Sequence, residues 1–291
     1  FNKGTYHNHE ITINKNLSFI GNGDAEKVII DAEKKGIHFK TTSGVNVYFK
    51  NITFINGQTP YQTSTGSISI FESTSTIDNC RFLTNSAGWV GGAIDVEGSS
   101  YYKQSTLLVK NTIFIGNYAA HDVGAFTSYY AKTIIDKGEF YNNSAGRDGG
   151  AIRVKFCKYH LINNSIFMYN RALGGNGWGA AIYTWSDVES YIFNSYIANN
   201  YADEAGGAIA TASRTKIINC TIVNNTANEM GGGIYVYEEG EGVISTIQAH
   251  NNTIYDNYVY EYKYLGLGGM DVYISNVVTR GDLIDFNDNY W

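Results

Sequence analysis

Charged side chains recur in the sequence just before a pair of small residues that is usually Gly-Gly, and they are the first candidates for chemistry. Their positions are His121–Asp122, Arg147–Asp148, Asp203–Glu204 and Glu229. Carboxyl groups that lie side by side shift each other's pKa, and they can also hold a cation. Asp122 and Asp148, flanked by His121 and Arg147, are therefore candidates for a carboxylate pair or a loose calcium site. The alternative, which we favour, is a solvated loop edge where Arg147 offsets the acids.

Aromatic and basic residues at alternate positions of short strands form the second candidate site. Successive side chains of a strand point to opposite faces, so the alternation predicts which residues point away from the interior. These are Tyr129, Arg153, Lys155, Tyr183, Trp185, Tyr235 and Tyr237. Outward rings on a flat sheet make a platform on which sugar rings or a partner surface can rest. The alternative is that these residues are present because tyrosine favours strands. We take the seven residues as the predicted ligand-binding surface.

A third group of carboxylates stands near the end of the chain, at Asp282, Asp285 and Asp288. Their spacing resembles a calcium loop, but the glycine and the final glutamate of an EF-hand are missing. They are more typical of solvated turn residues. We predict no cofactor and no bound metal; if a calcium ion were held, Asp122 and Asp148 would be its ligands.

These candidates stand on a repeat that must position them. The motif N-x-x-[F/I]-x-x-N recurs at intervals of 25 to 32 residues, and its central apolar residues are Phe82, Phe114, Phe140, Phe167, Ile197, Ile222 and Ile254. Each repeat reads as a short strand, a turn and a second short strand, which is typical of a solenoid coil. We predict an all-β, right-handed parallel β-helix of about nine or ten coils with a stack of aromatic and aliphatic residues inside.

Two columns of asparagine accompany the apolar stack. The first is Asn51, Asn79, Asn111, Asn164, Asn194, Asn219 and Asn251, and the second is Asn85, Asn117, Asn143, Asn170, Asn200, Asn225 and Asn257. Asparagine accepts a left-handed turn conformation, and its amide can bond to an identical amide one coil away. Both columns are predicted to be structural ladders, with Asn51, Asn219 and Asn251 buried.

The pattern predicts one domain over residues 1–291. Residues 1–50 depart from the repeat and read as N-terminal capping coils, residues 51–275 hold the regular repeats, and residues 276–291 form a closing coil. Terminal coils of a solenoid differ because they cover an open end. The chain opens with Phe1 and not Met, which indicates a fragment or a processed chain of a longer protein.

Charge and hydropathy restrict the partners. The net charge of −6 is spread along the chain, which argues against a nucleic acid, because phosphate binding requires a basic face. No apolar run approaches the ~20 residues that span a bilayer, so no transmembrane segment is predicted in this chain. Among the glycosylation sequons, those at Asn142 and Asn163 are the candidates for carrying glycan.

The repeats resemble two families of surface protein. GGAI stands at 91–94, 149–152 and 206–209, beside the tetrapeptides FLTN, FIGN, FYNN and FMYN, and this combination is similar to the chlamydial polymorphic outer-membrane proteins. The opening ITINKNLSFIGNG, the NITFINGQ at 51–58 and the closing FNDNYW resemble the β-helix region of the adhesin-like proteins of methanogenic archaea. The resemblance implies secretion, display on the cell surface and attachment to other cells or polymers. It implies no catalytic residues.

We therefore expect a non-enzymatic, extracellular adhesin module that binds glycans or proteins of another cell. One alternative is a polysaccharide lyase or glycoside hydrolase of the same fold. A lyase would require an acidic cluster that holds calcium and a Lys or Arg base, and a hydrolase would require two or three Asp side chains within about 5–10 Å of each other. The other alternative is a structural protomer that associates end to end into an extracellular filament, through the unpaired strands of its terminal coils.

Overall fold

The repeat folds as a coil of short strands that stacks in parallel on the coil before it. A computed structural model describes residues 1–62, 65–238, 245–260, 271–275 and 284–291. Strands at equivalent positions of successive coils form four columns, and within each column every described pairing is parallel. The described residues make about nine turns of an all-β parallel solenoid, as predicted. Residues 276–283 of the predicted closing coil, with Asp282, lie outside the described residues.

Columns 1 and 2 flank the first asparagine column. Column 1 is formed by Leu17–Ile20, Asn46–Lys50, Thr74–Asp78, Tyr159–Asn163, Thr246–His250 and Ile284–Asp285. Column 2 is formed by Gly4–His7, Val28–Asp31, Thr53–Ile55, Arg81–Leu83, Ile166–Met168, Tyr196–Ala198, Thr221–Val223 and Thr253–Tyr255. Two long strands, Ser105–Ile115 and Ala131–Tyr141, run through both columns.

Column 3 is short and column 4 carries the aromatic candidates. Column 3 is formed by Gln58–Tyr61, Ser86–Gly88, Tyr118–Ala119, Ser144–Ala145, Arg171–Ala172, Tyr201–Ala202, Thr226–Ala227 and Tyr258–Val259. Column 4 is formed by Ile11–Ile13, Phe39–Thr41, Ile68–Phe71, Ile94–Glu97, Phe126–Tyr129, Ile152–Lys155, Ile234–Val236 and Val272–Ile274. Ile182–Phe193 and Ile209–Ile218 begin in column 4 and continue into column 1 of the next coil. A single turn of 3-10 helix, Ala25–Lys27, completes the described elements.

Like side chains lie over one another inside the coils. The ring centroids of Phe54, Phe82, Phe114, Phe140 and Phe167 are separated in turn by 4.9, 5.0, 4.7 and 4.6 Å, and the last two pairs are parallel to within 2°. These distances match the spacing between adjacent strands, so one ring falls on each coil. Burial of each ring contributes ~2 kcal/mol or more, and the stacking contributes further. The predicted interior stack is confirmed.

The second asparagine column is a buried amide ladder, as predicted. Asn117 Nδ2 donates to Asn143 Oδ1 at 2.9 Å, and Asn143 Nδ2 donates to Asn170 Oδ1 at 3.0 Å. Each of these amides also bonds to backbone; Asn143 Nδ2, for example, donates to the carbonyl of Phe114 at 3.0 Å. The amide is thereby satisfied in the interior, which makes its burial tolerable.

The first asparagine column differs from the prediction. Asn219 and Asn251 are exposed and Asn51 is half-buried, so their predicted burial is wrong. All three have φ near +55°, the left-handed conformation that turns the chain from column 1 to column 2. A residue at this outer corner directs its side chain to solvent, and some of these amides bond across coils there: Asn79 Nδ2 donates to Asn51 Oδ1 at 2.8 Å.

The first strands of the chain form the first layer of the described stack. Gly4–His7, Ile11–Ile13 and Leu17–Ile20 each pair with one described strand, on the side of the next coil. Among the described residues, no helix has the length and apolar character needed to cross a bilayer.

Candidate functional site

A groove lies on the outer face of column 4, midway along the stack. It encloses about 460 Å³ and is lined by Arg147, Asp148, Arg153, Lys155, Asn176, Trp178, Tyr183, Trp185 and Glu204. Arg153 pairs in register with Tyr183 and Lys155 with Trp185, on neighbouring parallel strands. Because Ile152 and Val154 fill the interior, alternation forces Arg153 and Lys155 outward. The segments before the small-residue pairs, which carry Arg147 and Trp178, form the opposite wall.

An ion cluster anchored on Asp122 forms one end of the groove. Arg147 donates from Nε to Asp122 Oδ1 at 2.9 Å and from Nη2 to Oδ2 at 3.2 Å. Arg153 Nη1 and His121 Nδ1 also contact Asp122 Oδ2. Arg147 Nε lies 3.4 Å from Asp148 Oδ2, so the structure brings together the four residues of the first candidate site. Arg153, from a different column, was not anticipated in this cluster.

The two carboxyl groups have different protonation behaviour. Burial favours the neutral form of Asp122, but the charges of Arg153, Arg147 and His121 outweigh it and hold its pKa below the usual value. Burial, and then the negative charge of Asp122, raise the pKa of Asp148 to about 7. Asp122 is therefore ionised at neutral pH, while Asp148 is partly protonated.

The chemistry open to Asp122 is limited by its partners. Its side chain is 4% exposed and both oxygens contact guanidinium groups. A calcium ion at Asp122 and Asp148 would have to displace two arginines, and a hard cation does not compete well there. Within the part of the chain that the structure describes, no group of three or more His, Cys, Asp or Glu residues could hold a metal ion.

The predicted aromatic platform is partly wrong. Tyr183, Tyr235 and Tyr237 do point away from the interior, but they are buried, with exposures of 5%, 7% and 6%. They pack in a second apolar cluster outside the coils, with Ala205, Ala210, Ala212, Met230, Tyr273 and the half-buried Trp178 and Trp185. The cover comes from the loop positions of Trp178, Ala205 and Met230, which bridge to one another in parallel over this face.

The remaining predicted residues are all half-buried, and of these Arg153, Lys155 and Trp185 line the groove whereas Tyr129 does not. Lys155 Nζ lies 2.9 Å from the centroid of the Trp185 ring, so this ring face is occupied by a cation and does not form an open platform. Phe156 connects Trp185 to Tyr129, with ring centroids 5.7 and 5.5 Å away.

The sequence analysis did not predict Trp178, which lines the groove, or Phe156, which packs against Trp185. Trp178 stands just before a small-residue pair, where the coils on either side carry the acids Asp148 and Glu204, and that interruption was the available signal. Phe156 has φ of +54°, which is uncommon for a bulky residue and could not be read from the alternation.

Other candidate residues lie away from the groove. Asn142 is exposed at a corner after column 2, and the half-buried Asn163 accepts a hydrogen bond from Asn194 at 2.8 Å; glycosylation at both stays a prediction. Asp285 bonds to Asn287 within its own turn and lies 3.4 Å from His250 Nε2.

Comparison with known proteins agrees with this architecture. One curated relative, metabotropic glutamate receptor-like protein R of Dictyostelium discoideum, is 30% identical over 171 residues. The matched part is 58% of this chain and 10% of the relative, so the chain spans about a tenth of that protein's length. The family model described as a right handed beta helix region matches residues 118–289, more than half of the chain. With its parallel coils and stacked interior, the chain belongs to the family of right-handed β-helix regions.

Proposed function

We propose that this β-helix is a non-enzymatic recognition module of a surface protein and that it binds a saccharide chain in the groove. The observation that carries the proposal is the pairing, on adjacent strands, of Arg153 with Tyr183 and of Lys155 with Trp185, opposite Trp178. Aromatic rings and charged hydrogen-bonding groups thus alternate along one groove.

This combination suits a sugar better than an apolar ligand. A saccharide ring has a C–H face that packs on aromatic rings, and hydroxyl groups that bond to charged side chains. The volume of about 460 Å³ is within the ~300–1,000 Å³ usual for ligand sites.

The extracellular setting of the proposal is supported by likeness alone. The repeats resemble those of archaeal adhesin-like and chlamydial surface proteins, and the partial relative is named as receptor-like. A saccharide or glycoprotein on another cell is the partner that fits such a setting. End-to-end association through the terminal coils is compatible with the same role.

A second candidate, a glycoside hydrolase, is favoured by one observation. Asp148, with its pKa raised to about 7, lies beside the ionised Asp122, and a pair of carboxyls with separated pKa values is the arrangement of an acid and a base. However, both oxygens of Asp122 contact arginine, and its burial leaves no room to activate water. Binding without turnover therefore fits the geometry better.

The test is a glycan array probed with the chain and with a double variant, Lys155→Ala with Trp185→Ala. The matched control is Lys132→Ala with Tyr159→Ala, since Lys132 also lies over an aromatic ring of the next coil, 5.4 Å from its centroid, but in column 1. We expect saccharide binding that the first double variant loses and the control keeps.

Absence of saccharide binding by the unaltered chain, or equal loss in both double variants, would overturn the proposal. New reducing ends, formed by the chain and abolished by Asp148→Asn, would replace it with the hydrolase.

A further inference from the structure

A row of apolar side chains runs along the outer face of column 2. Each of them follows one of the stacked interior phenylalanines, so alternation directs it away from the interior. The strands pair in register, and the row passes through five successive coils without a charged residue. All five side chains are half-buried. We call this row the column 2 seam; it consists of Ile55, Leu83, Ile115, Tyr141 and Met168.

The same coils carry polar side chains at the equivalent position of column 1. The last residues of its strands there are Lys50, Asp78, Lys110, Asp136 and Asn163. Polar residues are usual on the solvent side of a sheet, whereas a contiguous apolar row marks a surface that another molecule covers. The seam shares no residue with the groove of column 4, so its role is independent of the proposed function.

The seam is symmetric about Ile115, with two members on either side. The coil before Ile55 carries the charged Asp31 at the same position. The coil after Met168 carries Ala198, which is fully buried. The accessible part of the row therefore has Ile115 at its centre.

Two opposite charges flank this centre. In the row two residues earlier, Arg81, Ile113 and Glu139 pair in register, so the cation lies one coil before the centre and the anion one coil after it. Arg81 contacts Glu26, whose side chain is 71% exposed, and Arg81 Nε has no acceptor among the described residues. Glu139 accepts a hydrogen bond from Tyr141 at 3.0 Å. A two-fold axis through Ile113, along the strand, places Arg81 of each copy opposite Glu139 of the other.

We propose that two copies of this chain associate side by side, in opposite directions, through the column 2 seam. Leu83 of one copy then faces Tyr141 of the other, and Ile55 faces Met168. A second copy repeats the ~4.8 Å spacing of the coils, so the two rows interdigitate as side chains do between paired sheets of stacked strands. A helix, at ~5.4 Å per turn, loses this register along the seam. A second copy therefore fits both the spacing and the charges.

The area of contact indicates a weak dimer. The two copies overlap over seven coils, from that of Asp31 to that of Ala198, which is a length of ~34 Å. The face between the two corners of column 2 is ~15 Å wide, so each copy covers roughly 500 Å² and the pair about 1,000 Å². This area is at the lower limit for a specific interface, and we expect a dissociation constant in the micromolar range.

Sedimentation equilibrium of the chain tests the proposal, at concentrations from about 1 to 200 μM that bracket such a constant. The mean mass should rise with concentration towards twice that of one chain. Ile115→Lys places two ammonium groups together at the two-fold axis and should weaken the dimer at least tenfold. Ile134→Lys is the matched control, because Ile134 is also outward and half-buried but lies in column 1, and it should leave the dimer unchanged.

A charge exchange tests the arrangement of the copies. Arg81→Glu and Glu139→Arg should each weaken the dimer, and an equimolar mixture of the two variants should restore it, since every carboxylate in the mixed pair then faces a guanidinium. A variant that fails to fold would not be rescued by mixing. A chain that stays monomeric at all concentrations, a dimer that Ile115→Lys leaves intact, or a mixture that stays monomeric overturns the proposal.

Discussion

The hydroxyl groups of Tyr183 and Tyr237 lie 2.7 Å apart, although 54 residues separate them in the chain. The bond spans two coils and is buried, with the ring of Trp178 4.8 Å from that of Tyr237. This bond joins Tyr183, which lines the groove, to Tyr237 in the apolar cluster that covers the next part of column 4. The groove therefore ends at this pair.

Loss of this bond should weaken the fold and open the groove. We expect Tyr237→Phe to lower the free energy of unfolding by ~1 kcal/mol, because the buried hydroxyl of Tyr183 loses its bond to Tyr237. The double variant Tyr183→Phe with Tyr237→Phe should cost less than the sum of the single variants. Urea unfolding measures all three. Strict additivity would show that the two hydroxyls are not coupled.

The amide ladder should be far more sensitive than the exposed asparagine corner. Asn143→Ala removes bonds to Asn117, Asn170 and the Phe114 carbonyl, and should cost ~3 kcal/mol or more because polar groups remain buried and unpaired. Asn79→Gly is the control: Asn79 is exposed at φ of +49°, which glycine adopts freely. Thermal unfolding measures the difference, because the midpoint temperature should fall much further for Asn143→Ala than for Asn79→Gly. A similar fall in both variants would contradict a structural ladder.

Two buried histidines should make the fold sensitive to acid. Burial lowers the pKa of His160 to about 3 and that of His38 to about 4, both below the unfolded value near 6.5. The unfolded chain therefore binds more protons over this interval, and stability is lost as pH falls from about 6.5 towards 4. Unfolding at pH 7 and pH 4.5 should show a loss of roughly a few kcal/mol.

Replacement of each histidine in turn separates the effect of burial on stability from the effect of hydrogen bonding. Neither ring nitrogen of His160 has a partner among the described residues, whereas His38 bonds to the carbonyls of Ile30 and Ile55 and to Ser67. We expect His160→Leu to reduce the acid sensitivity and to be neutral or stabilising at pH 7, since no hydrogen bond is lost. His38→Leu should destabilise at pH 7. The opposite order would contradict this reading of His160.

The interior of the coils was predictable because every coil repeats it. Phe82, Phe114 and Phe140 recur at one position of the motif, and a parallel stack brings recurring positions together whatever the loop lengths are. The outward direction of Tyr183 followed from alternation in the same way. Its burial did not, because the cover by Trp178 depends on the path of a loop that differs from coil to coil.

Only the part of the ion cluster that lies within one column of repeats was predictable. Alignment of the repeats placed Asp122 and Asp148 on neighbouring coils, and the structure agrees. Arg153 reaches the same carboxylate from column 4, and contacts between different columns depend on the shape of the coil, which the repeat period does not contain. Sequence periodicity therefore predicts which residues stack on each other in successive coils. It does not predict which residues of different columns contact each other.

Asp148 should make the stability of the folded chain fall as pH rises. Its pKa is raised to about 7 in the folded chain, above the ~4 of an unfolded aspartate, so the folded chain binds more protons between these two values. Stability is therefore lost as pH rises from about 4 through 7, and the free energy of unfolding should fall by ~1 kcal/mol between pH 6 and pH 8. Asp148→Asn should remove this part of the pH dependence, because asparagine does not titrate. Urea unfolding at pH 6 and pH 8 measures this, and an equal pH dependence in Asp148→Asn would show that its surroundings do not hold Asp148 neutral.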